Sequence, residues 1–129
     1  MPLLRFDLIE GRTDEELQRL LDAAHRAMVQ AFGVPEADRY QVVHQHPASQ
    51  MIIHDTGLDI PRTDNVVLLQ VTSRPRSKEM KQNFYQLLVE TLAEECGIAP
   101  SDVMVSMVIN ADEDWSFGYG RAQFLTGEL

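Results

Sequence analysis

An internal repeat is the feature that most constrains how this chain can fold. Thr13 opens one helical pattern, and Ser77 opens a second one 64 positions later. The same offset aligns further pairs of residues: Arg12 with Arg76, Gly33 with Gly97, Val34 with Ile98 and Asp38 with Asp102. Few positions are identical, but the pattern of secondary-structure elements repeats as well. The 129 residues therefore predict one domain built from two copies of a unit of about 60 residues, at 2–60 and 66–129.

The first copy is typical of a strand, a helix and a returning strand. An apolar run over 2–9 precedes a helix that Thr13 caps and that Gly33 ends. A strand is expected over Tyr40–His44, and a further short strand over Met51–Ile53. Apolar residues at helical spacing form the predicted buried face of the helix: Leu17, Leu20, Leu21, Ala24, Met28 and Phe32.

The second copy repeats this order, with strands over 66–72 and 104–109 and a helix from Ser77 to Gly97. The predicted buried face of that helix comprises Phe84, Tyr85, Leu88, Leu92 and Cys96. A strand–helix–strand unit implies parallel strand pairing. Two such units predict an α/β (α+β) fold, a four-stranded mixed sheet with two helices on one face. The other face of the sheet is expected to meet other subunits.

Charge and cysteine usage narrow the class of partner. Asp plus Glu number 20 and Lys plus Arg 11, so the formal net charge is −9. Such a surface repels nucleic acid and anionic membranes. The single cysteine, Cys96, cannot form an internal disulfide, and no apolar run approaches the roughly 18 residues of a membrane helix. Residues 1–7 lack the basic and apolar regions of a signal peptide, so we expect a cytoplasmic protein.

Pro2 is a candidate catalytic residue. Small second residues such as proline usually permit removal of the initiator Met, which would leave a secondary amine at the chain terminus. That amine is more basic than an ordinary α-amino group, whose pKa is about 8. It can act as a general acid or base, or form an iminium with an aldehyde. The alternative is that the proline only stiffens the start of the first strand.

Two arginines and one aspartate are candidate binding residues. Arg74 and Arg76 flank Pro75 between a strand and the start of a helix, and guanidinium groups there favour carboxylates or phosphates. The alternative is a solvated pair of arginines bound to surface acids. Asp38 lies in the loop before a strand, where an aspartate bonded to its own turn is the commoner case. Asp102, its repeat partner, is expected to play only that turn role.

The tail and two histidines have less specific patterns. Residues 113–129 are rich in glycine and aromatic side chains, which can wall an apolar pocket or cover a subunit interface. His44 and His46 share one face of a strand, as a pair of metal ligands would, but no further ligand spacing completes a site. We interpret them as polar strand residues near an interface. No metal and no cofactor are predicted, and phosphate-binding loops, nucleophile elbows and dinucleotide fingerprints are missing.

A duplicated strand–helix–strand unit that begins Met-Pro resembles the tautomerase superfamily. Residues 2–12, 38–41, 46–51 and 71–76 and the tail from Asp112 are similar to the malonate semialdehyde decarboxylases, so the resemblance covers essentially the entire chain. It implies a homotrimer whose catalytic residues are Pro2, Asp38, Arg74 and Arg76. It also implies an apolar substrate-binding wall of Trp115, Phe117, Phe124 and Leu129.

The activity that this resemblance implies is conversion of malonate semialdehyde to acetaldehyde and carbon dioxide without a cofactor, with a hydratase side activity. Pro2 would accept the electrons as a cationic hydrogen-bond donor or as an iminium, and the residues leave both routes open. Related alternatives are a keto–enol tautomerase, which needs a neutral Pro2, and a hydratase or dehalogenase of 3-haloacrylates. A non-catalytic trimeric binding protein that retains Met1 is the alternative from another class.

Overall fold

The computed structural model describes residues 1–129, which form two strand–helix–strand units and a tail. The elements of the first unit are β1 (Leu3–Ile9), α1 (Asp14–Phe32) and β2 (Tyr40–His46). Those of the second unit are β3 (Val67–Ser73), α2 (Lys78–Cys96) and β4 (Val103–Ile109). The tail carries a short helix, α3 (Gln123–Thr126), and short 3₁₀ turns lie at 48–50, 100–102 and 112–114. None of the helices is both long and apolar enough to cross a membrane.

The four strands form one sheet in the order β2-β1-β3-β4. β1 pairs with β2 and β3 pairs with β4 in parallel, whereas β1 and β3 are antiparallel. The predicted mixed sheet is therefore confirmed. The antiparallel register sets Leu3 opposite Thr72, so the beginning of the chain lies beside the end of β3.

Both helices pack on one face of the sheet, as predicted, and a cluster of 17 buried residues joins the two layers. Phe32 of α1 meets Phe84 of α2, with ring centroids 4.9 Å apart.

The opposite face of the sheet bears the two histidines of β2, His44 and His46. Arg5 Nη2 donates to His44 Nδ1 at 3.1 Å, and His46 Nε2 lies 2.7 Å from Asp7 Oδ1. Each histidine therefore pairs with a β1 side chain, and the two rings lie 6.3 Å apart.

The predicted helix ends are confirmed by their capping geometry. Thr13 Oγ1 accepts from the Glu16 backbone N–H at 3.1 Å, and the Glu16 carboxylate accepts from the Thr13 N–H at 3.0 Å. That backbone hydrogen bond is the main reason that the pKa of Glu16 is lowered. Ser77 caps α2 from one side only, since its Oγ accepts from the Met80 backbone N–H at 3.1 Å and Met80 has no carboxylate to return the bond. Gly33 and Gly97 both adopt φ of 64°, a left-handed conformation that favours glycine.

Thr13→Ala is expected to destabilise the protein by about 1 kcal/mol, because the Glu16 amide loses its side-chain acceptor. Thermal unfolding would show this as a lower Tm, by about 4 °C for a domain of this size. Thr13→Ser is the control, since it keeps the hydroxyl. An equal loss of Tm in both variants would contradict the capping explanation.

Three local expectations from the sequence are wrong. Residues 51–53 form no strand, because Met51 packs into a small cluster beside the sheet with Ile9 and Val66 and has no ladder partner. Tyr85 is exposed at the edge of the buried α2 face. Asp102 is buried, and its carboxylate does not bond to its own turn.

The carboxylate of Asp102 reaches a different part of the chain. It accepts from the Thr63 backbone N–H at 2.7 Å and from Thr63 Oγ1 at 2.5 Å. Asp102 therefore ties the segment between the two units to the start of β4. This long-range role has no local sequence signal, since the partner lies 39 residues away.

Candidate active site

A pocket of about 240 Å³ lies at the end of the sheet where β1 begins and β3 ends. Three segments that are distant in sequence form it: the chain terminus, the loop after α1 and the loop between β3 and α2. Its lining residues are Met1, Phe32, Gly33, Val34, Pro35, Asp38, Arg74, Pro75 and Arg76. The fold thus brings both arginines and Asp38 to the chain terminus.

Pro2 is buried directly behind Met1, whose α-amine is the terminal amine of the structure. While Met1 is present, the Pro2 nitrogen is part of a peptide bond and is not basic. Burial and the positive charge of Arg76 lower the pKa of the terminal amine, and Arg74 adds to this effect. Asp38 and Asp112 act in the opposite direction. The Met1 amine shows the electrostatic environment that a terminal amine meets at this end of the pocket.

Arg76 is held by the residue that ends β3. Its Nε donates to Ser73 Oγ at 3.1 Å, and the buried Ser73 hydroxyl donates to the Arg74 carbonyl at 2.8 Å. The guanidinium carbon lies 5.2 Å from the centroid of the Phe32 ring. Burial, followed by the charge of Arg74, lowers the pKa of Arg76. Two cations in one small pocket repel each other, and an anion bound between them would relieve that repulsion.

Arg74 connects the pocket with the tail. Its Nε lies 2.8 Å from Asp112 Oδ1, and its guanidinium carbon lies 4.1 Å from the centroid of the Phe124 ring. Both arginines are therefore held through Nε, which leaves their Nη atoms free to bind a carboxylate.

The aromatic residues of the tail form a cluster beside Arg74. Trp115 and Phe117 stack at 5.4 Å, and Phe117 meets Phe124 edge to face at 5.3 Å. Tyr40 stacks on the same Phe117 ring at 5.9 Å. Three of the four predicted wall residues thus come together, although none of them lines the pocket itself. The fourth, Leu129, has 59% of its surface exposed, and its backbone N–H donates to the carbonyl of Gln123, the residue before Phe124.

Four residues that contribute to this arrangement have no distinctive sequence pattern: Phe32, Ser73, Asn110 and Asp112. Phe32 reads as an ordinary core residue and Ser73 as the end of a strand. Asn110 accepts from Trp115 Nε1 at 2.8 Å, and Asp112 pairs with Arg74. The acidic tail residues next to an aromatic run are the only local signal that could have singled out Asp112.

Comparison with known proteins shows the family to which the chain belongs. Two family models, both described as tautomerase enzyme, match residues 2–60 and 38–118. The chain is 61% identical over 129 residues to the probable tautomerase YrdN of Bacillus subtilis (strain 168), and the match covers 100% of both chains. It is 34% identical over 126 residues to the probable tautomerase YusQ of the same organism, covering 97% of this chain and 99% of the relative. The chain belongs to the tautomerase family.

Within that family, solved structures of malonate semialdehyde decarboxylases are very similar. One, described with decarboxylase and hydratase activities, is 60% identical with a TM-score of 0.96, and the match covers 98% of each chain. The FG41 enzyme, inhibited by 3-bromopropiolate, is 40% identical with a TM-score of 0.94, covering 98% of this chain and 97% of the other. The resemblance found in the sequence is therefore confirmed.

Proposed function

We propose that this protein is a cofactor-independent malonate semialdehyde decarboxylase. The observation that carries the proposal is the convergence of the chain terminus, Asp38, Arg74 and Arg76 on one pocket of about 240 Å³. The 60% identity to a malonate semialdehyde decarboxylase supports it. In the reaction the bond between the carboxylate and the next carbon breaks. Carbon dioxide leaves, the electron pair stays on that carbon, and one proton is taken up to give acetaldehyde.

Pro2 is the proposed electron acceptor. Removal of Met1 transfers the terminal amine to Pro2, at the end of the pocket that the arginines flank. A cationic Pro2 can donate a hydrogen bond to the aldehyde oxygen, which stabilises an enolate. A neutral Pro2 can instead add to the aldehyde and, with uptake of one proton and loss of water, form an iminium that accepts the electrons as an enamine. Protonation of the enamine carbon and hydrolysis then release acetaldehyde and restore Pro2. The first route places the nitrogen within hydrogen-bond distance of the carbonyl oxygen, whereas the second bonds it to the carbonyl carbon.

Arg74 and Arg76 are the proposed carboxylate-binding residues. Two guanidinium groups from one loop can hold a carboxylate so that the breaking bond stands out of the carbonyl plane, and such orientation lowers a barrier by several kcal/mol. The negative charge disappears as carbon dioxide forms, so carboxylate binding alone favours the ground state. Phe124 lies over Arg74 and Phe32 over Arg76, which limits hydration of both guanidinium groups.

Asp38 is the proposed partner of the amine. Its carboxylate raises the pKa of the terminal amine and so favours the cationic form that a hydrogen-bond donor needs. The same carboxylate can accept a proton from water. This gives a route to hydration of unsaturated acids as a second activity at the same site.

The test is a coupled assay of acetaldehyde formation. Purified protein, shown by intact mass to lack Met1, is mixed with malonate semialdehyde, and alcohol dehydrogenase with NADH reports the product. We expect rapid consumption of NADH that depends on the protein. If protein without Met1 produces no acetaldehyde, the decarboxylase proposal is wrong.

The pH dependence gives the protonation state of Pro2. Burial and two arginines lower the pKa of the Met1 amine, while Asp38 and Asp112 oppose them, and we expect an amine on Pro2 to meet the same charges. If the cationic amine is required, kcat/KM is level below that pKa and falls about tenfold per pH unit above it. The midpoint of that fall should match the pKa of ¹⁵N-labelled Pro2 measured by NMR. An activity that instead rises with pH would show that the neutral amine is the active form.

A keto–enol tautomerase is the second candidate, because burial and two arginines lower the pKa of the Met1 amine at this end of the pocket, the direction that favours a neutral base. The 61% identical relative is also named a probable tautomerase. In this case Pro2 would move a proton between carbon and oxygen of a small keto acid that the arginines hold. Tautomerisation without any acetaldehyde formation would select this candidate.

We also infer a homotrimer. The sheet face opposite the helices carries the pairs Arg5–His44 and Asp7–His46 and leaves the apolar side chains of Val42, Met104 and Val108 exposed. A fused 4-OT protein described as a symmetric trimer shares this fold at 23% identity and a TM-score of 0.78. Sedimentation equilibrium should give about three times the 14.6 kDa of one chain.

A further inference from the structure

His25 is a buried polar residue of α1 that the proposed reaction does not use. Only 5% of its surface is exposed. Its Nε2 lies 2.7 Å from the carbonyl oxygen of Glu36, in the loop that carries Asp38. A carbonyl oxygen only accepts, so Nε2 bears the hydrogen and donates it. In the neutral ring Nδ1 is then an acceptor, and it is buried without a partner.

The acceptor of this hydrogen bond belongs to the turn that presents Asp38. The Asp38 N–H donates to the Pro35 carbonyl at 3.0 Å and closes a turn over 35–38. The Glu36 carbonyl lies inside that turn and is not used to close it. On the other side of Asp38, Arg39 pairs with Asp22 of α1 at 2.7 Å. The loop is therefore attached to α1 on both sides of Asp38, by a partly buried hydrogen bond before it and a partly exposed ion pair after it.

We propose that His25 is a positioning residue for Asp38, which fixes the 35–38 turn on α1 and so keeps the Asp38 carboxylate beside the terminal amine. An apolar side chain of similar size would fill the same space without burying an unpartnered nitrogen. What histidine adds is the hydrogen bond to Glu36. Because that bond precedes Asp38 by only two residues, its loss should let the carboxylate move before it disturbs the rest of the fold.

The consequence is electrostatic and can be measured. The charged groups around the terminal amine are Asp38 and Asp112, which raise its pKa, and Arg74 and Arg76, which lower it. If Asp38 moves away, only Asp112 remains to offset the lowering of the amine pKa by the arginines and by burial. The pKa of the amine then falls, and the fraction of cationic Pro2 at neutral pH falls with it. The expected change in the pKa of the amine does not depend on which reaction the protein catalyses. Only the step from that pKa to catalysis rests on the proposed function.

The experiment is an NMR titration of ¹⁵N-labelled Pro2 in protein without Met1. His25→Phe keeps a ring but removes the donor, and it should lower the midpoint of the Pro2 titration by about 0.5–1 pH unit. His25→Gln can still donate to Glu36 and should restore most of the midpoint. Leu20→Val is the matched control, since it also perturbs a buried α1 position but has no link to the Asp38 loop.

A double-mutant cycle tests whether the effect passes through Asp38. Asp38→Asn alone should lower the midpoint, and adding His25→Phe should lower it no further. If the two substitutions lower the Pro2 midpoint additively, the inference is contradicted. It is also contradicted if Asp38→Asn shifts the midpoint and His25→Phe leaves it unchanged.

A measurement on the unaltered sequence covers the case in which His25→Phe does not fold. The ¹⁵N spectrum of His25 should show the Nε2–H tautomer at neutral pH, and an Nδ1–H tautomer would overturn the inference. The two proposals fail separately. A shifted midpoint without acetaldehyde formation contradicts only the decarboxylase, whereas acetaldehyde formation with no shift contradicts only the role of His25.

Discussion

Replacing Pro2 with alanine is expected to lower kcat/KM for acetaldehyde formation by about 10²-fold or more, the lower end of what a positioned acid or base contributes. Alanine still permits removal of Met1 but leaves a primary amine that is not held in a ring. Its basicity and the direction of its N–H bonds both change. The coupled assay measures the loss, and intact mass must show that Met1 is removed from both proteins.

Pro100→Ala is a suitable control for this variant. Pro100 begins the 3₁₀ turn before β4, away from the pocket, so its replacement should leave kcat/KM unchanged. Full activity in Pro2→Ala would contradict the proposed role of the proline. Reduction with borohydride in the presence of malonate semialdehyde adds information on the route, since a covalent adduct on Pro2 is expected only if an iminium forms.

Arg76→Ala is expected to lower kcat/KM by about 10- to 100-fold, mainly through KM. Hydrogen bonds to a charged group contribute about 1.5–3 kcal/mol, which corresponds to that range of rates. Because the carboxylate is bound in the ground state as well as in the transition state, most of the loss should appear as weaker substrate binding. Arg76→Lys should recover only part of it, since an ammonium group lacks the planar fork of a guanidinium.

A charge-matched control separates local binding from the overall field of an acidic protein. Arg19→Ala removes one positive charge from an exposed position of α1 outside the pocket, and its KM should stay close to that of the original protein. If Arg19→Ala raises KM as much as Arg76→Ala does, net charge rather than a specific contact controls substrate binding. Steady-state kinetics at two salt concentrations would show the same distinction.

Local signals were sufficient for the two long helices and the four strands of the sheet. Thr13 and Ser77 begin the two helices, and Gly33 and Gly97 end them, because capping depends on a few neighbouring residues. The strand predicted over 51–53 is wrong because a strand, unlike a helix cap, depends on residues that are distant in sequence. Three apolar residues in a row are compatible with a strand, but a strand needs a partner, and here Met51 instead fills a gap between Ile9 and Val66.

The candidate site was predictable only in part. Pro2, Arg74 and Arg76 stand out because of position and composition. Asp38 and the aromatic tail had equally ordinary explanations until the resemblance to a known family gave them expected roles. Their surroundings were not visible in the sequence. Ser73, Asp112 and His25 act through contacts with a residue or loop that local pattern does not connect to them.

The sequence by itself determined the duplicated strand–helix–strand unit, the mixed sheet and the family, because periodicity, caps and shared motifs are properties of short segments. Only the tertiary structure decided which charges meet. The antiparallel pairing of β1 with β3 brings the chain terminus to the Arg74–Arg76 loop, and α1 carries the Asp38 loop to the same place. Electrostatic interaction depends on distance in space and on burial, so the pKa of the terminal amine follows from the packing of the two units.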